Sequence, residues 1–93
     1  MYRSSGNGIL EQTKHALSCV DQALAKAGSD KSRVLEVTIW LADIERDYQV
    51  MNSVYDKWIE SIIPPCRACV EAKLYSKDCL VEVRVIAAEG VQK

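Results

Sequence analysis

A single histidine, His15, is all the imidazole this chain offers, so a metal site built on paired histidines is excluded. Charge of one sign is equally scarce. Twelve Lys and Arg against 13 Asp and Glu give a net charge of −1, with no block of either sign. A nucleic-acid partner held by phosphate contacts needs a basic stripe, and none is present. No apolar run approaches the roughly 18 residues of a membrane span. The opening residues, Met1-Tyr2-Arg3-Ser4-Ser5-Gly6, have no apolar core of a secretory signal. Internal repeats and low-complexity tracts are missing too. The expectation is one soluble, cytoplasmic domain spanning residues 1–93, and a hydrophobic content of 48% is enough to fold it.

The only two prolines are adjacent, Pro64-Pro65, and they end whatever helix precedes them. The residues after them alternate: Cys66, Ala68, Val70, Ala72 and Leu74 on one face, Arg67, Cys69, Glu71 and Lys73 on the other. This predicts a strand over 66–75. Arg67 at its mouth is either a solvated strand charge or a two-pronged grip for a carboxylate. Cys66 and Cys69 form a C-x-x-C, the spacing of a metal or redox pair. Three residues apart in a strand, however, their side chains point to opposite faces, and no second pair completes a ligand set. Reduced thiols are expected, with no metal and no cofactor.

Upstream, Ile9, Thr13, Ala16, Leu17, Val20, Ala23, Leu24 and Ala27 recur at helical spacing. Asn7 is the expected N-cap and Gly28 the residue just past the end. His15 falls on the polar face and reads as solvated. Residues 33–41 read as a strand rich in β-branched residues. Asp43 can cap a second helix over 46–61, with Tyr48, Met51, Val54, Tyr55, Trp58, Ile59 and Ile62 as its apolar stripe. A last strand is expected over 79–88, after a short polar turn, and residues 89–93 form a tail. The turn length suggests that the last two strands form a hairpin. The strand-helix-strand part predicts a parallel pair by a right-handed crossover, and both helices should lie on one face of the sheet. Such a narrow sheet leaves apolar side chains and strand edges uncovered, which predicts an oligomer.

Pro65-Cys66-Arg67-Ala68-Cys69-Val70-Glu71-Ala72, then Leu80-Val81-Glu82-Val83 and Ile86-Ala87-Ala88, resemble the signature of the Rid/YjgF family of reactive enamine/imine deaminases. The family is also labelled endoribonuclease L-PSP or translation inhibitor. Glu11-Gln12-Thr13, 24–30, 37–44 and 51–55 match in order as well, so the resemblance runs from about residue 9 to residue 88. It implies an α+β, chorismate-mutase-like fold and a homotrimer with sites in the clefts between subunits. Usual members carry two further strands before the first helix, and the eight residues here are too few to supply them. By resemblance, Arg67 grips the substrate carboxylate, Glu82 positions or activates the water, and Cys69 and Asn52 border the ligand. The implied reaction is hydrolysis of a 2-aminoacrylate-like enamine or imine to ammonia and a 2-keto acid, with Arg67 and Glu82 reaching one cleft from adjacent strands. The alternatives are a non-catalytic trimer that binds small carboxylates, and a ribonuclease or translation inhibitor; the near-neutral charge gives the last little support.

Overall fold

The computed structural model describes residues 8–89; the expected cap Asn7 and most of the expected tail lie outside them. Helix α1 runs Ile9–Lys26, strand β1 Val34–Leu41, helix α2 Ile44–Ile59, strand β2 Cys66–Glu71 and strand β3 Val81–Ala87. The helical stripe of α1 buries Ile9, Thr13, Leu17, Val20 and Leu24. Gly28 comes just after the helix at a φ of 73°, a conformation that side-chain-bearing residues avoid. A single 3-10 turn, Lys31–Arg33, then leads into β1.

Two carboxylates finish the start of α2. Asp43 Oδ1 accepts from Arg46 N at 3.1 Å, the cap anticipated from the sequence. Glu71 Oε1, from the far end of β2, accepts from Ile44 N at 3.0 Å. The backbone donors at a helix start have no partner inside the helix, and both carboxylates also meet the positive end of its dipole.

The sheet order is β2-β1-β3. β1 pairs with β2 in parallel, as a strand-helix-strand crossover requires, and with β3 antiparallel. The expected hairpin between the last two strands is therefore corrected: they flank β1 and do not touch as neighbours. β1 is the most buried strand, with Val37, Ile39 and Leu41 at 0–1% exposure. A strand apolar to that degree is driven to the centre, where both its edges are satisfied. β2 also stops at Glu71, short of the expected 75. Leu41↔Glu71 is the last pair in register, and beyond it β1 has no residues left to pair with.

Residues opposite one another in the register share a face. Val37, Ile39 and Leu41 lie with Arg67, Cys69 and Glu71 of β2 and with Val85, Val83 and Val81 of β3, under the helices. Met51, Tyr55 and Ile59 from α2, and Leu17, Val20 and Leu24 from α1, complete this core. The far face carries Glu36, Thr38 and Trp40 with Cys66, Ala68 and Val70 on one side and Glu82, Arg84 and Ile86 on the other. Among the described residues no helix covers it, and Val70 and Ile86 are 44% and 42% exposed.

A buried glutamine ties the two ends of the fold together. Gln12, 5% exposed, donates from Nε2 to Asp78 O at 2.7 Å and accepts from Leu80 N at 2.8 Å. An amide carries donors and an acceptor at once, so one side chain satisfies two backbone groups of the loop that leads into β3.

Candidate active site

Arg67 is held on every side that α2 presents to it. It is the second residue of β2 and faces the helices, opposite Val37. Its Nη1 donates to Asn52 Oδ1 at 2.8 Å and its Nη2 to Tyr48 Oη at 2.9 Å. The guanidinium carbon lies 4.9 Å from the centre of the Tyr55 ring and 5.8 Å from that of Tyr48. Tyr48, Asn52 and Tyr55 fall at i, i+4 and i+7, one face of the helix, and so converge on one cation. Two hydrogen bonds fix the fork and two ring faces stabilise its charge. Two of its five N–H groups are engaged in this way, leaving three for a carboxylate.

Cys69 stands next on the same face, opposite Ile39. Burial pushes its thiol above the ordinary value, and the Arg67 charge opposes that shift. It is therefore a neutral neighbour of the guanidinium at neutral pH, not a thiolate nucleophile. Burial also raises the Tyr55 hydroxyl, with Arg67 again opposing. Tyr55 is 4% exposed, and its buried Oη has no hydrogen-bond partner among the described residues.

Glu82 stands elsewhere. It pairs with Trp40, on the far face and on β3, with β1 between it and β2. The expectation that Arg67 and Glu82 reach one cleft from adjacent strands of a single chain is corrected by this topology. Alternation gives each residue its face within its own strand but not which strand lies beside it. Asn52 and Cys69 do gather with Arg67; Glu82 does not.

Tyr48 and Tyr55 join this group from positions that periodicity alone assigns to the core stripe. Their spacing with Asn52, two phenols and an amide along one helix face, is the signal that marks them. Cys66 faces away from Cys69, opposite Glu36, and all four cysteines are free. Among the described residues no cluster of His, Cys, Asp or Glu is arranged to hold a metal, and no helix is long and apolar enough to cross a membrane.

Residues 4–89 match the family model described as Endoribonuclease L-PSP. The chain belongs to this family, the Rid/YjgF proteins. It is 47% identical over 77 residues to a RutC family protein of Haemophilus influenzae, covering 83% of this chain and 66% of that one. To a goat (Capra hircus) protein named 2-iminobutanoate/2-iminopropanoate deaminase it is 35% identical over 83 residues, covering 89% of this chain and 59% of that one. The crystal structure of a YjgF-family protein from Neisseria meningitidis superposes with a TM-score of 0.88 at 39% identity, over 99% of this chain and 76% of that one. The chain thus spans about two thirds of the length of the Rid/YjgF relatives it matches. The likeness covers both helices and the three-stranded mixed sheet, an α+β fold.

Proposed function

We propose that this Rid/YjgF chain is a hydrolytic deaminase of small 2-imino acids and their enamine tautomers, releasing ammonia and a 2-keto acid. The observation that carries the reading is the guanidinium of Arg67, clamped by Asn52 and Tyr48 and faced by two tyrosine rings with N–H groups to spare. A planar fork of this kind suits a carboxylate, the group every 2-imino acid carries beside its C=N bond. The imine deaminase name of the goat relative points the same way.

In this reading the carboxylate docks on Arg67, with Asn52 and Cys69 bordering it, and the imine carbon is held for attack. Water adds to that carbon and the nitrogen takes up a proton. The carbinolamine then collapses to the keto acid and ammonia. Glu82 orients the water and accepts its proton. Because it lies on the opposite face from Arg67 within one chain, a neighbouring copy supplies it, across the cleft of a homotrimer whose uncovered sheet faces meet.

The test is release of ammonia and keto acid from 2-aminoacrylate generated in the assay. Arg67→Ala should slow turnover by at least about 100-fold, since an unheld carboxylate loses its orientation. Equal rates in the two proteins would reject the assignment. The placement of Glu82 also favours a second reading, a non-catalytic binder of small carboxylates. That reading expects thermal stabilisation by a 2-keto acid, abolished by Arg67→Ala, with no turnover in either protein.

A further inference from the structure

One hydroxyl in the Arg67 clamp is only half engaged. Tyr48 Oη accepts from Arg67 Nη2 at 2.9 Å, so one lone pair is occupied and the phenol's own proton points away from the guanidinium. That proton has no acceptor among the described residues, and Tyr48 is 36% exposed. The other polar groups around the fork are committed. Asn52 accepts from Arg67 Nη1 with Oδ1 and turns Nδ2 to Asp56 Oδ2 at 3.3 Å. Tyr55 Oη is buried, and the Cys69 thiol is a weak donor. Among the described residues around Arg67, Tyr48 is therefore the strong donor left for a ligand.

The two N–H groups of Nη2 diverge by about 120°, so a carboxylate oxygen held by the second stands about 5 Å from Tyr48 Oη. In a 2-imino acid the nitrogen lies about 2.7 Å from the carboxylate oxygen on its own side, by ordinary bond lengths. It falls in that gap, within hydrogen-bond reach of the phenol. Resting on the deaminase reading, we infer that Tyr48 donates its phenolic proton to the imine nitrogen. As the water oxygen bonds to the imine carbon, the C=N π pair moves onto nitrogen, and nitrogen takes the Tyr48 proton. Glu82 takes the proton that the water loses. Solvent then returns a proton to Tyr48 and removes the one on Glu82, so the sum is imine plus water giving carbinolamine. Charge developing on Oη meets the Nη2 N–H that already points at it. The same donor sets the substrate class. A neutral imine or a keto group presents a lone pair there. The ammonium of a 2-amino acid presents donors only and sets a second cation beside Arg67. The site selects 2-imino and 2-keto acids over 2-amino acids.

Calorimetry with three acids of one chain length tests this: 2-oxobutanoate, butanoate and 2-aminobutanoate, expected to bind in that order of affinity. In Tyr48→Phe, shown folded by circular dichroism, the preference for the oxo acid over butanoate should fall about 2- to 10-fold. In the deaminase assay the same substitution should lower kcat by at least about tenfold with a smaller change in KM. Equal losses for the oxo acid and butanoate, as from a slackened guanidinium, would overturn the inference. So would an amino acid bound as tightly as the oxo acid, or an unchanged kcat. Binding of none of the three would remove the Arg67 grip and this inference with it. A preference that depends on Tyr48 in a chain that releases no ammonia would sink the deaminase reading and leave the donor in place.

Discussion

The two helices cover the same sheet, yet their seams have opposite characters. α2 meets β2 through Tyr48, Asn52 and Tyr55, large side chains with polar ends that reach across and clamp Arg67. α1 meets β3 through Ala16, Cys19 and Ala23, which stop short and leave a groove. Both stripes have helical spacing, so periodicity does not separate them. Side-chain reach does: long amphipathic residues turn a helix-sheet seam into a site, and small ones leave a groove.

The contrast can be broken most sharply at Met51, on the filled side and fully buried. Met51→Ala should cost about 2–5 kcal/mol of unfolding free energy in a denaturant titration, because the residues around it are fixed and the cavity cannot collapse. Next is the tie from α1. Gln12→Ala leaves the Leu80 N–H and the Asp78 C=O without their partner, at about 1–3 kcal/mol. Amide exchange at Leu80 should speed up even where global stability is little changed. Removing a single hydroxyl probes the clamp more gently. Tyr48→Phe keeps the ring over Arg67 and deletes one hydrogen bond, so calorimetric affinity for a 2-keto acid should fall about 2- to 10-fold with little loss of stability.

The smallest effect is on pH. Burial holds the Tyr55 hydroxyl and the Cys69 thiol above their ordinary values, so the folded chain keeps protons that the unfolded chain releases. That stabilisation is whole below the ordinary thiol and phenol range and is lost as pH rises through the raised values. The melting temperature should therefore decline between about pH 9 and pH 11, and less steeply in Tyr55→Phe. A slope unchanged by that substitution would take Tyr55 out of the account.

Legibility in the sequence differs from residue to residue. Asp43 as a cap, Gly28 as a terminator, the parallel pairing of β1 with β2 and the opposite faces of Cys66 and Cys69 are all local consequences, and all are legible. The position of β3 is not. Alternation reports which way a side chain points, never which strand stands beside it, and a short turn between two strands is compatible with flanking a third. Gln12 is hidden for another reason. A polar residue in a buried stripe counts against burial until its partners, 66 and 68 residues away, are known. The clamp falls between these cases: resemblance singles out Arg67 and Asn52, while the tyrosines completing it have the spacing of ordinary core residues.

The central place of β1 also has a consequence in time. During synthesis, α1, β1, α2 and β2 emerge in turn and can associate, but β3, the strand that satisfies the other edge of β1, emerges after all four. Until it arrives, Val37, Ile39 and Leu41 belong to a two-stranded sheet with one raw side. Neighbouring chains on the same messenger carry identical raw sides, so mispairing between nascent chains concentrates in the interval before β3 emerges. A pause in translation just ahead of residue 80 should lower soluble yield more than the same pause placed within α1.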